Sequence, residues 1–171
     1  MKTVAAFAAV ALILPALVPG AHAAGDKTGD KIAIVAAENF YGDIARQIGG
    51  DQVAVVSIMN NPDQDPHLFE TTPGIVRQIA GAQIAVLNGA DYDHWMEKLL
   101  TVAPRSNRKV IVAADLVHKK AGDNPHLWYD PATMPAVAKA IAEILGKTDA
   151  VHKSDYATRL ASFPTSLKPL D

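Results

Sequence analysis

The chain has 171 residues and a formal net charge of -2, from 16 Lys and Arg against 18 Asp and Glu. That length suits one compact domain, and near-neutral charge without a basic stripe excludes a nucleic-acid partner, because phosphate binding needs clustered cations. A 49% hydrophobic fraction excludes wholesale disorder, and the absence of cysteine removes disulfides, thiolate metal sites, cysteine nucleophiles and the lipid-bearing cysteine of surface lipoproteins.

Met1-Lys2 gives a short positive start, Val4 to Val18 is almost unbroken apolar sequence, and Ala21-His22-Ala23 follows. This is the pattern of a secretory signal peptide cleaved after Ala23. Pro15, Pro19 and Gly20 interrupt the run before it could span a bilayer core of about 30 Å. The expected organisation is a signal peptide over 1–23, an α/β lobe over 24–130, and a helix with a tail over 131–171.

Lys31 to Ala37 is a short apolar run and predicts a strand covered on both faces. Phe40 to Ile48 has helical spacing and ends at Gly49-Gly50. Val53 to Met59 predicts a second strand, and Asn60 to Thr72 a polar loop. Pro73 to Gly81 reads as a helix, Gln83 to Asn88 as a third strand, and Asp91 to Val102 as a helix with Trp95, Leu99 and Val102 along one side. Lys109 to Ala113 predicts a fourth strand, and a second polar loop runs to Tyr129. Asp130-Pro131 then opens a helix through Leu145, and the polar stretch from His152 reads as weakly helical, broken by Pro164 and Pro169. Strands alternating with helices predict an α/β fold, an open four-stranded parallel sheet with right-handed crossovers and helices on both faces. Sites in such sheets lie beyond the carboxyl ends of the strands, where both long polar loops fall.

Those loops carry matching phrases. The first is Asp65-Pro66-His67-Leu68-Phe69-Glu70-Thr71-Thr72-Pro73, and the second is Asn124-Pro125-His126-Leu127-Trp128-Tyr129-Asp130-Pro131. Thr72 and Asp130 suit N-caps, with Pro73 and Pro131 at the first helical position. Capping does not account for the histidine upstream of each. Imidazole is a preferred ligand of zinc and related metals. A preceding proline restricts the loop, so less entropy is lost when a metal orders it. The Leu and aromatic neighbours can bury one side of the ring, and a nearby Asp, Asn or carbonyl can take its other N–H. One such histidine alone reads as a surface residue, but two matching copies at one sheet edge read as a shared metal site formed by His67 and His126.

Other candidates are weaker. His94 lies on a charged helix beside Asp91 and Asp93, His118 sits next to Lys119-Lys120, and His152 belongs to the polar tail. Glu38 could ligate, although a carboxylate there more often makes a cap or loop contact. Tyr92, Trp95 and Trp128 read as packing residues, and Asn88-Gly89 as a turn. Neither phosphate-loop glycine pattern occurs.

The paired phrases, with Ala82-Gln83-Ile84-Ala85-Val86-Leu87-Asn88-Gly89 and Asp93-His94-Trp95 between them, resemble the metal-specific solute-binding proteins of bacterial ABC importers, the zinc/manganese type (cluster A-I, or cluster 9). The resemblance runs from about Lys31 to the tail. It implies two α/β lobes joined by a long helix with the metal between them, and His67 and His126 as the first lobe's ligands. The remaining ligands, a His or Glu and an Asp, belong to a second lobe, which a chain ending at Asp171 is expected to lack. The implied function is periplasmic capture of a divalent cation, zinc favoured over manganese, and its delivery to a membrane permease. The receptor is expected to be a monomer without stable membrane insertion, organic cofactor or catalysis. Zinc is favoured because imidazole binds it more tightly than manganese.

Two other classes stand beside this reading. A zinc-dependent hydrolase would use a His/His/carboxylate set with an open position, but no H-E-x-x-H motif or evident base accompanies it. An anion-binding module would use two helix N-termini and protonated histidines, but the loops lack Arg, Lys and glycine.

Overall fold

The structure, a computed structural model, describes residues 31–61, 63–65 and 68–168. The signal-peptide reading of 1–23 and the position of His67 fall outside those residues.

In chain order the elements are β1 (Ile32–Glu38), α1 (Asn39–Gly49), β2 (Val53–Met59), α2 (Pro73–Gly81), β3 (Ile84–Leu87), α3 (His94–Val102), β4 (Lys109–Val112), α4 (Ala113–Leu116), α5 (Thr133–Thr148) and α6 (Lys153–Leu167). The four strands form one parallel sheet in the order β2-β1-β3-β4. Ala36 pairs with Ser57 on one side and Val86 on the other, which fixes the register of the centre. From β1 the chain first adds β2 on one side and later β3 on the other. The topological switch point therefore lies between the carboxyl ends of β1 and β3, flanked by Glu38 and Asn88.

Side chains alternate across each strand, so the sheet builds two cores. On one face Ile34, Ala36, Ile84 and Val86 meet Tyr41, Ile44 and Ile48 of α1, Val137, Ile141 and Leu145 of α5, and Tyr156 and Phe163 of α6. On the other, Val35, Ala37, Ala85 and Leu87 meet Ile79 of α2 and Met96 and Leu99 of α3. Each fully buried aliphatic side chain here contributes on the order of 1.5–3 kcal/mol.

Several expected boundaries shift for identifiable reasons. The helix expected from Asp91 begins at His94, because the backbone is left-handed from Gly89 to Asp91. Val102, expected on its packed side, is 67% exposed, and Met96 is buried instead. Asp130 does not cap a helix at Pro131. Its side chain accepts from the Ala132 N–H at 2.9 Å, closing a turn, and the helix starts at Thr133. Pro135 falls in the first helical turn, where no intrahelical donor is lost. The second polar loop contains the short helix α4 and a 3-10 turn over Leu127–Tyr129. The tail is a full helix rather than a weak one: Tyr156 and Phe163 bury against α1 and α5, and that packing carries Pro164 inside α6. Arg159 of α6 donates to the Ile48 and Gly49 carbonyls at 3.4 and 3.3 Å, satisfying acceptors that the end of α1 leaves open.

Candidate metal site

His126 lies where the carboxyl edge of the sheet meets the second polar loop. Leu127, next to it, is 2% exposed and anchors the loop in the core. Asn124 shapes the approach: its side-chain oxygen accepts from the His126 backbone N–H at 3.0 Å and bonds the ring Nδ1 at 2.7 Å. An amide oxygen can only accept, so Nδ1 carries the hydrogen and Nε2 keeps its lone pair for an incoming cation. The exposed ring stands edge-on to Trp128 at 5.3 Å and to Tyr92 at 6.2 Å between centroids. Trp128 also meets Phe40 at 4.9 Å and Tyr92 at 5.0 Å, so aromatic rings from three segments hold this side of the loop.

Asn88, buried at the end of β3, ties that loop to the sheet. Its Oδ1 accepts from the Tyr41 hydroxyl at 2.7 Å, and its Nδ2 donates to the Gly89 and Pro125 carbonyls, both at 2.9 Å. Pro125 immediately precedes His126, so a core amide sets the position of the histidine's own backbone. The turn after Asn88 is strained. Gly89, Ala90 and Asp91 have φ of 75, 49 and 64°, and a Cβ at Gly89 would meet Val112. Asp93 holds this turn by accepting the Asn88 and Gly89 N–H groups at 2.6 and 2.8 Å. Sparsely populated backbone of this kind gathers at functional sites.

Glu38 is buried at the end of β1. It is 3% exposed, and neither carboxyl oxygen has a hydrogen-bond partner among the described residues. Burial, reinforced by the Asp93 carboxyl, pushes its pKa well above the ordinary carboxylate range. Asp93 is also raised by burial, against the lowering effect of its two backbone donors. The Tyr92 phenol is raised by burial first, then by Glu38, Asp93 and Asp65.

That last influence bears on the first loop. Asp65, two positions before His67, acts on the tyrosine whose ring stands edge-on to His126. Phe69, two positions after His67, stacks on Trp95 of α3 at 3.9 Å. Phe69 thus meets the segment from Tyr92 to Trp95, and Asp65 acts on it electrostatically. Leu68 is 77% exposed, unlike its counterpart Leu127. Thr72 caps α2 as expected, accepting from Ile75 at 3.3 Å.

Among the described residues, His94 and His152 are engaged elsewhere. His94 is exposed between Asp91 at 3.2 Å and Glu97 at 3.5 Å, and His152 bonds Asp149 at 2.6 Å. His118 is exposed at the end of a turn. Among the described residues no group of three or more His, Cys, Asp or Glu is placed to hold a metal ion. Asn88, Tyr41 and Asp93 are the positioning residues that sequence reasoning missed. Asn88-Gly89 reads as a turn in sequence, and only the structure reveals the side chain beneath it.

Comparison with known proteins bears on the family and the fold. Residues 34–171 match the family model for the periplasmic component A of the zinc-uptake complex, ZnuA. The manganese ABC transporter substrate-binding lipoprotein PsaA of Streptococcus mitis is 29% identical over 176 residues, covering 94% of this chain and 57% of that protein. The iron ABC transporter substrate-binding lipoprotein MtsA of Streptococcus pyogenes serotype M1 is 28% identical, covering 86% of this chain and 52% of its own length. The chain therefore spans little more than half the length of these relatives. Among solved structures, Zn(II)-bound AdcA from Streptococcus pneumoniae superposes with a TM-score of 0.67 at 22% identity, over 82% of this chain and 31% of that one. The Mn-bound periplasmic metal binding protein from candidatus liberibacter asiaticus gives 0.68 at 20% identity, over 80% and 55%. At these identities the superpositions establish the fold.

Proposed function

The chain belongs to the ZnuA family of metal-binding ABC-importer receptors, and from that membership we propose that it captures a divalent transition metal through His67 and His126 in an exported compartment. Zinc is the favoured cargo, delivered to an importer permease, and manganese is the runner-up. The observation that carries this reading is the presentation of His126. Its Nδ1 is occupied by Asn124, its backbone is held through Pro125 by Asn88, and its Nε2 is left for a ligand. The repeated Pro-His phrase supplies His67, whose neighbour Phe69 stacks on Trp95 and whose neighbour Asp65 acts electrostatically on Tyr92.

Capture needs no bond-making beyond coordination. Neutral imidazoles replace water on the cation, and the remaining positions stay with water or with ligands from elsewhere in a complete receptor. None of the observations favours the hydrolase alternative. Among the described residues no helix is long and apolar enough to cross a membrane. The test is zinc titration of the chain and of its His67→Ala and His126→Ala variants in competition with a chromophoric chelator. Retention of wild-type affinity by both variants would refute the assignment.

A further inference from the structure

Next to the His126 loop lies a pair of acids that metal capture through imidazoles does not use. Glu38 ends β1 and Asp93 precedes α3, so the pair sits at the sheet's switch point. Their residues are 3% and 0% exposed. Asp93 is committed to two backbone donors, whereas among the described residues neither Glu38 oxygen has a hydrogen-bond partner. An ionised carboxylate buried without donors is costly, and holding a proton removes the charge.

Among the described residues no cation neutralises the pair. From α1, Tyr41 faces the pair but commits its hydroxyl to Asn88. From the turn before α3 comes Tyr92, itself under the influence of Asp65 in the first loop. None of the groups found to act on Glu38 or Asp93 is a cation. The Asp93 carboxyl acts on Glu38 in the same direction as burial, so the two acids together favour a held proton.

We propose that Glu38 and Asp93 form the proton reservoir of the metal site: a divalent cation captured beside them displaces the proton they hold, and its return favours release of the cation. This rests on the metal-capture reading above. Tyr92 provides the spatial link, since it adjoins Asp93 in the chain and its ring lies 6.2 Å from that of His126. A nearby dication favours the ionised form of a carboxyl, and in an interior less polar than water this attraction is weakly screened. The exchange balances simply. The Glu38 O–H bond breaks, its electron pair stays on the carboxylate oxygen, and the proton passes to solvent.

Calorimetric titration of zinc into the full chain, in buffers of different ionisation enthalpy at pH about 7 and about 8, counts the protons released. Glu38→Gln preserves shape and neutrality but has no proton to give. The imidazole contribution is common to both proteins, so their difference belongs to the acid pair. The wild type is expected to release up to one proton more per zinc than Glu38→Gln, and its affinity to rise more steeply with pH. Equal proton counts in two proteins that both bind zinc would overturn the reservoir while leaving metal capture intact. Absence of zinc binding by the wild type would instead overturn the capture reading, and the reservoir with it. Should Glu38→Gln fail to fold, the wild type decides alone: proton release at pH about 7 and about 8 no greater than two imidazoles supply overturns the proposal, and release beyond that supports it.

Discussion

The side-chain amide of Asn88 donates to the Pro125 carbonyl at 2.9 Å, linking the end of a buried strand to the residue before His126. Asn88 makes this bond in a fixed orientation, because the Tyr41 hydroxyl donates to its oxygen and turns the amide nitrogen toward the loop. Asn88→Asp removes both donors to Gly89 and Pro125 and adds a carboxyl beside Asp93. It is expected to weaken zinc binding by roughly 10–100-fold, the usual cost of losing an outer-shell support. Tyr41→Phe, which leaves Nδ2 its partners, should cost less. Chelator competition on both variants, with circular dichroism to confirm folding, checks the order.

Gly89 has two reasons to be glycine: a φ of 75° and a Cβ direction that runs into Val112 Cγ1. Gly89→Ala is therefore expected to destabilise the fold by about 1–3 kcal/mol, the typical cost of a residue held in sparsely populated backbone. Urea unfolding measures it. Loss below about half a kcal/mol would mean the turn relaxes without strain.

The acid pair has a stability signature of its own. The folded-state pKa of Glu38 lies above its ordinary value of 4.5. Between those two values the unfolded chain has already lost its proton while the folded chain still holds one, so wild-type stability falls as pH rises through that window. Glu38→Gln cannot titrate and escapes this loss. The variant's stability relative to wild type is expected to increase from pH about 4.5 upward, read from denaturation midpoints across a pH series. A constant difference would contradict the burial argument.

Much of this was legible in advance because it depends on local chemistry. Val53–Met59 and Pro73–Gly81 lie where β-branching, Pro73 and the Thr72 cap put them. The parallel sheet follows from alternation of the elements. The buried acid pair is hidden in the sequence for a different reason. Glu38 reads as a cap because carboxylates at strand ends usually face water, and nothing local says that Asp93 and Tyr41 will enclose it. The tail departs from its composition for a similar reason: α6 is polar, and its helix is secured by Tyr156 and Phe163 reaching a distant core.

Asp149 supplies an opposite pH dependence at the junction of α5 and α6. One oxygen accepts from the Tyr156 hydroxyl at 2.7 Å and bonds His152 Nδ1 at 2.6 Å. The tyrosine first, and the histidine with it, hold the carboxyl below its ordinary value of 3.8. A depressed acid stabilises the fold above its unfolded pKa, and that contribution disappears as pH falls through the folded one. Asp149→Asn should therefore be less stable than wild type at neutral pH, with the gap narrowing below pH about 3.8. Thermal unfolding across that range is the check, and a gap that widens in acid would reverse the assignment.

Metal capture itself makes the sharpest demand on individual histidines. Two imidazoles leave a zinc ion two ligands short of a tetrahedral set, so this chain is expected to bind zinc measurably but weakly, with water completing the sphere. Binding should weaken further as pH falls through the imidazole range, because a protonated ring cannot ligate. His67→Ala and His126→Ala should each abolish most of the binding. His94 already lies between Asp91 and Glu97, and His118 lies outside the paired loops, so alanine at either should change little. Isothermal titration on the four variants separates these cases. Equal loss from His94→Ala would move the site to the amino end of α3, and receptor-grade affinity in the unaltered chain would require a further ligand within it, for which the buried Glu38 carboxyl is the first residue to replace.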